Sequence, residues 1–166
     1  KKSKFTLKPL SELIKLKESA KKIFKEKPED KFNYLENNDV DMENHRIISQ
    51  HTFIGKKAPS RAKYLLEAGD FLIPNAKESI KGITIVPKEY DGFIGTSRFY
   101  VTKSLIDKDY LYAILNSKMI LNLLRREASG EIALTISDKV FENFLIPVPK
   151  ENEIEKIVKE LTKFEK

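Results

Sequence analysis

The sequence predicts an α+β fold: a twisted, mainly antiparallel sheet with packing helices and a C-terminal amphipathic helix. Three observations predict it. Runs rich in β-branched and aromatic residues, over 71–73, 82–86 and 93–101, are punctuated by Gly69, Pro74, Pro87 and Gly92, as strands bounded by turns are. Leu111, Ile114, Leu115 and Met119 recur at helical spacing, and the same period returns in Ile154, Ile157, Val158, Leu161 and Phe164. A chain of 166 residues, 40% hydrophobic and 34% charged, can bury one core but hardly two, so one main domain is expected.

From the N-terminus, Leu10, Leu13, Ile14 and Leu16 lie among lysines, and Ser11 is placed to cap a brief helix over 10–15. Residues 21–31, dense in charge and holding Pro28, read as a solvated connection. A strand follows over 32–35. Asn37, Asn38 and Asp39 make a turn, residues 41–44 a second, and 46–49 a strand after them. Ala68-Gly69-Asp70 then turns the chain into Phe71, Leu72 and Ile73, a buried strand closed by Pro74. Residues 82–86 and 93–101 are each read as one further strand.

Asp107 is placed to cap a single helix that reaches Arg125 and Arg126 and stops before Gly130. Residues 132–136 and 144–148 are again strand-like, separated over 137–143 by one or two helical turns. Pro147 and Pro149 bracket Val148, which puts that strand at an edge. The final apolar stripe makes a helix running to the last residues.

The absence of cysteine leaves no disulfide framework and no thiolate metal site, as a reducing cytosol permits, so a cytoplasmic location is expected. No apolar run is long enough to span a bilayer, and the first residues lack the apolar stretch of a signal peptide, so no membrane partner is expected. The net charge is +6, with a pI near 9.3. Residues 1–31 hold eleven lysines against five acids, and the remainder carries twenty charges of each sign. The excess belongs to one segment, so any anion-binding surface in the body must be a local patch.

Motifs for chemistry are missing. Gly92-Phe93-Ile94-Gly95-Thr96 is two glycines flanking a strand start, which is turn chemistry rather than a cofactor loop, and no cofactor is expected. Glu29-Asp30-Lys31 matches an acidic-x-Lys nuclease fragment that any lysine-rich chain contains by chance. His45 and His51 have no carboxylate at ligand spacing, and no serine occupies a nucleophile elbow. Neither catalytic nor metal-ligating residues are therefore assigned.

What stands out is an acid-free window over 44–66, with Gln50, His51, Lys56, Lys57, Ser60, Arg61 and Lys63. A second, over 92–106, includes Thr96, Ser97 and Arg98. Arg and Lys neutralise phosphates, and Arg, Gln and Ser also bond base edges, so both windows suit DNA readout. A loop that merely lacks acids would have the same composition.

The order of segments resembles the DNA target-recognition domain of type I restriction-modification specificity subunits. Leu10-Ser11-Glu12-Leu13-Ile14 resembles that family's opening element, and Phe32-Asn33-Tyr34-Leu35 before Asp39-Val40-Asp41 resembles its aromatic strand and acidic turn. Ala58-Pro59-Ser60-Arg61-Ala62 with Gly69-Asp70-Phe71-Leu72-Ile73 resembles a recurrent segment, as do Gly95-Thr96-Ser97-Arg98-Phe99 and the helix from Asp109-Tyr110-Leu111 to Asn116-Ser117. Ser129-Gly130, Ile136 and Ile146-Pro147-Val148-Pro149 complete the series. Each fragment is short, and their collinear order carries the resemblance. Glu153-Ile154 stands where the family usually has a Glu-Gln pair opening a long helix.

The resemblance implies a non-catalytic module that directs a restriction-modification methyltransferase and nuclease to a target site. It implies a recognition domain over 1–149 and, over 150–166, the start of a coiled-coil-like partner-contact segment. Partners would be double-stranded DNA, DNA adenine methyltransferase subunits and a restriction (nuclease/translocase) subunit, with self-association through the terminal helix. Arg61 is the first candidate DNA contact, although an Arg in Ser-Arg-Ala can equally brace a turn by bonding carbonyls. Ser60, Lys63, Lys56, Lys57, Gln50, His51, Thr96, Ser97 and Arg98 are the other candidates. Two alternatives stay open: the recognition part of a single-chain restriction enzyme-methyltransferase, and a scaffold that binds protein rather than DNA.

Overall fold

The computed structural model describes residues 4–132 and 134–163. The α+β expectation holds, with strands that are mainly antiparallel, but they form two four-stranded sheets and two two-stranded ribbons rather than one sheet. β1 (Phe5–Pro9) runs into the single turn α1 (Leu10–Leu13) and then β2 (Ile14–Leu16). Ser11 does not cap α1. Pro9 holds the cap position with φ −67° and ψ 148° and no side-chain cap bond, while burial of Leu10 and Leu13 fixes the turn.

The solvated connection expected over 21–31 instead contains α2 (Lys21–Glu26). Lysines dominate its sequence, yet Phe24 is only 6% exposed, with ring centroids 5.2 Å from both Phe32 and Phe53. One buried aromatic residue outweighs the charge pattern, because tertiary packing rather than propensity stabilises so short a helix. β3 (Lys31–Leu35), β4 (Val40–Asp41), β5 (Arg46–Ile47), β6 (His51–Ile54) and β7 (Ala62–Leu65) follow. β5 falls within the strand expected over 46–49, while β6 and β7 lie later in the first acid-free window, at residues where no strand was expected.

Gly69, at φ +90°, supplies the left-handed turn into β8 (Phe71–Pro74). Asp70 braces that turn: its carboxylate accepts from the Glu67 amide at 2.8 Å and pairs with Lys17 at 2.8 Å, with both side chains largely buried. After β9 (Thr84–Ile85), the strand expected over 93–101 is two strands, β10 (Ile94–Thr96) and β11 (Phe99–Ser104), which belong to different sheets. The turn at Ser97 and Arg98 between them was marked only by the short polar stretch Gly95-Thr96-Ser97-Arg98, with apolar residues on both sides.

One sheet has the order β6-β3-β10-β7, with β3 and β10 parallel and the other pairs antiparallel. The second has the order β2-β11-β8-β9 and is wholly antiparallel. β8 and β11 are buried on both faces. Phe71, Ile73 and Tyr100 point into a helical core with Leu111, Leu115 and Leu124, whereas Leu72, Phe99 and Val101 point into a second core with Leu35, Tyr64 and Leu66. The period of two therefore divides one apolar run between two cores, which explains why β8 reads as uninterrupted hydrophobics. A third cluster of Phe24, Tyr34, Phe53, Ala62 and Ile94 lies under α2.

The single helix expected after Asp107 is two, α3 (Lys108–Leu115) and α4 (Lys118–Glu127). Asp107 caps the first as expected, accepting from the Tyr110 amide at 2.9 Å. Asn116 and Ser117 break the run. Asn116 Oδ1 accepts from the Ile83 amide at 2.8 Å, and the Ser117 side chain restarts the helix by accepting from the Ile120 amide at 3.3 Å. The break shifts the helical phase, leaving Met119 59% exposed although its spacing matched the core stripe.

Among the described residues of 132–136 no strand forms. Ser129 and Thr135 exchange two 3.0 Å backbone bonds that close a loop, and Ile132 stands fully exposed within it. The helical turns expected over 137–143 are α5 (Asp138–Asn143), after which β12 (Leu145–Pro149) pairs antiparallel with β1 in a two-stranded ribbon. α6 (Glu151–Thr162) closes the described chain with Ile154 against the helical core, and Phe164 of its expected stripe lies outside the described residues. Among the described residues no helix is long and apolar enough to cross a membrane.

Candidate nucleic-acid interface

The two acid-free windows, far apart in sequence, meet in space. The Ser97 amide donates to the Arg61 carbonyl at 2.7 Å, and β10 pairs with β7 through a register shift between Gly95 and Thr96. Such bulges bend a strand and re-aim its side chains. The β10–β11 turn is held from the other side by Asn75, whose amide donates to the Arg98 carbonyl at 3.0 Å and whose Nδ2 donates to the Ser97 carbonyl at 2.9 Å. The backbone of Arg61, Ser97 and Arg98 is thereby fixed while the arginine side chains are left free to act.

Arg61, Thr96 and Arg98 line one cleft of about 220 Å³ with Glu36, Asn37 and Glu78. Among the described residues, neither guanidinium is within ion-pair distance of a carboxylate, and neither donates a hydrogen bond. Asn37 Nδ2 donates to Ser79 Oγ at 2.9 Å, and its Oδ1 is buried without a partner. The buried Asn37 Oδ1 carries the cost of an unsatisfied acceptor, while the two arginine side chains are reached by solvent and open to a ligand. Base edges in the major groove offer both donors and acceptors, so the cleft has the chemistry to read them. Beneath it, burial pushes the Tyr34 phenol above its ordinary pKa, while a hydrogen bond from Thr96 and the charge of Arg61 act in the opposite direction.

A neighbouring loop hangs on one buried carboxylate that the sequence reading passed over as a turn residue. Asp39 is 2% exposed. Its Oδ2 accepts from the Glu36 amide at 2.7 Å, Oδ1 accepts from Ser49 Oγ and lies 3.1 Å from His51 Nε2, and its carbonyl accepts from the Ile48 amide at 2.8 Å. The segment carrying Gln50 and His51 is thus tied to the end of β3. An amide at this position has one acceptor oxygen, so Asp39→Asn must turn an NH₂ toward another donor. That substitution is expected to cost on the order of 1 kcal/mol in urea unfolding and to speed hydrogen exchange at the Glu36 amide.

The other sequence candidates are dispersed. Lys56 pairs with Glu29 at 2.9 Å, and the Ser60 carbonyl accepts from Lys21 Nζ at 2.8 Å. The Lys63 ammonium lies 4.9 Å from the centre of the Tyr64 ring, and Lys57 and Gln50 are exposed. His45 binds the Ile83 carbonyl through Nδ1 at 2.9 Å, which serves the turn before β5. Among the described residues no group of three or more His, Asp or Glu is arranged to hold a metal ion.

Comparison with solved structures gives a consistent picture of the fold. A chain from a structure of the type I R-M system, solved for its complex assembly and conformational transition, superposes with a TM-score of 0.80 at 25% identity over 97% of this chain and 42% of its own length. The HsdS subunit from Thermoanaerobacter tengcongensis superposes with a TM-score of 0.76 at 25% identity, over 98% of this chain and 42% of its own. The type I restriction-modification S subunit from M. genitalium, at 18% identity and a TM-score of 0.58, shares the fold over 97% of this chain and 39% of its own. This chain thus spans about two fifths of the solved chains it matches. No family profile and no curated protein sequence matches it.

Proposed function

We propose that this chain is a DNA sequence-reading module, corresponding to one target-recognition half of a type I specificity subunit, which directs partner subunits to a target site and performs no chemistry itself. The observation that carries this reading is the likeness, over nearly the full length of this chain, to an HsdS subunit and to a chain of a type I R-M system. Residues 1–149 form the recognition domain in this reading, with Arg61 and Arg98 as the main base contacts and Thr96 beside them. Ser60, Lys63, Lys56, Lys57, Gln50, His51 and Ser97 are lesser contacts. Residues 150–166 begin a helical segment for partner contact or self-association. The partners are double-stranded DNA, DNA adenine methyltransferase subunits and a restriction subunit.

The cleft supports this reading by its composition. Two unpaired arginines and an orphan acceptor suit a surface that hydrogen-bonds to base edges. The test is titration of the chain onto a labelled mixed-sequence duplex at several salt concentrations. Binding is expected to weaken steadily with salt, with a log–log slope of about −0.9 per phosphate neutralised. Absence of salt-dependent binding, with and without methyltransferase subunits, would remove the reading.

A further inference from the structure

On the far side of the 58–62 loop from the arginine cleft lies a second groove, of about 360 Å³, between α2 and residues 55–62. We infer that this groove seats the sugar-phosphate backbone of duplex DNA, acting as a sequence-independent clamp beside the base-reading cleft. The inference rests on the DNA reading proposed above and extends it to a helix which that reading leaves unused.

Position is the first argument. Ser60 and Ala62 line the groove, and Arg61 between them lines the cleft, so a single loop separates the two. A surface that reads bases must also be held in register by contacts to phosphates, which carry no sequence information themselves.

Charge is the second. Lys21, Lys25 and Lys56 all line the groove and no carboxylate does, whereas Glu36 and Glu78 line the cleft. Lys21 Nζ donates to the neutral Ser60 carbonyl, and Lys25 makes no ion pair among the described residues. Lys56 pairs with Glu29, but both side chains are more than half exposed, at 51% and 71%. A pair so exposed contributes little and exchanges readily for a phosphate. Lysines act on phosphate as point charges rather than as forks, which suits a surface that feels charge and ignores base identity.

Rigidity is the third. The Gly55 amide donates to the Asp30 carbonyl at 3.0 Å, and the Lys56 amide to the Pro28 carbonyl at 2.8 Å. A Cβ at Gly55 would lie 2.3 Å from the Lys27 carbonyl oxygen, so the backbone approaches there as closely as only glycine allows. Phe24 anchors α2 from below. The walls are therefore held before any ligand arrives, and Lys21 and Lys25 of α2 are brought beside the reading loops.

The test measures log K against log salt for the chain and for Lys25→Gln/Lys56→Gln, with Lys118→Gln/Lys139→Gln, exposed on α4 and α5 and lining neither the groove nor the cleft, as a charge-matched control. Lys25→Arg/Lys56→Arg serves as the charge-retaining variant. The groove variant is expected to lose roughly 0.9 of slope per lysine, equally on every duplex sequence, while the control and the Arg variant keep the parent slope. A groove variant that binds duplex with the parent slope overturns the inference alone. Loss of binding to polyglutamate with duplex binding intact also overturns it, in favour of an acidic protein partner. A parent chain that binds no duplex overturns the reading on which the inference rests.

Discussion

Arg61→Ala is expected to weaken binding to the target duplex by roughly 5- to 150-fold, the equivalent of about 1–3 kcal/mol for a bidentate base contact, and to leave thermal stability unchanged. The second half of that expectation comes from the structure. An arginine that braced a turn would donate to carbonyls, and the guanidinium of Arg61 donates no hydrogen bond among the described residues. It is the Arg61 backbone carbonyl, accepting from Ser97, that holds the loop, and alanine preserves that bond. On mixed-sequence DNA the loss should be much smaller, because phosphate contacts remain. Equal weakening on target and mixed duplexes would make Arg61 a phosphate contact. A fall in unfolding midpoint would make it structural.

Phe141→Ala is expected to destabilise the fold by about 3–5 kcal/mol in urea unfolding, the range for removal of a fully buried aromatic ring. Phe141 is 0% exposed and stacks on Tyr100 with centroids 4.0 Å apart and planes 11° from parallel. That contact joins α5 to β11 and so ties the last third of the chain to the central sheet. The Tyr100 hydroxyl donates to the Ile136 carbonyl at 2.7 Å, with Asp138 Oδ1 also in reach at 2.9 Å. Burial first, and then the Asp138 carboxylate, push its pKa far above the ordinary phenol value. A raised folded-state pKa means that this stability is complete below the unfolded value near 10 and is lost as pH rises above it. Tyr100→Phe should flatten that alkaline decline, while the part due to Tyr110, whose pKa burial also raises, persists.

How much of this was legible in sequence depended on where the determining contact lay. The cap at Asp107, the turn at Gly69 and the buried run of β8 are local, and their residues announced them. α2 was not legible, because its only apolar anchors are Ile23 and Phe24 and its docking surface, Phe32 and Phe53, comes from two later strands. The division of residues 93–101 between two sheets was equally hidden, since the turn at Ser97 and Arg98 is only two residues long between flanks of β-like composition. For the site, lack of acids picked out two windows but could not say that Arg61 and Arg98 share a cleft. Asp39 escaped because an acid in a turn is ordinary until its burial is known. The resemblance in segment order, built from short fragments, agreed with the fold more fully than any single element did.

The most direct test of the central claim, that this chain reads sequence for a methyltransferase, is methylome sequencing of cells with and without its gene. Loss of one modified motif on deletion, and its return with the intact gene but not with the Arg61→Ala/Arg98→Ala form, is the result expected. An identical set of modified motifs in both cell lines, in cells where the partner methyltransferase is expressed, would contradict it.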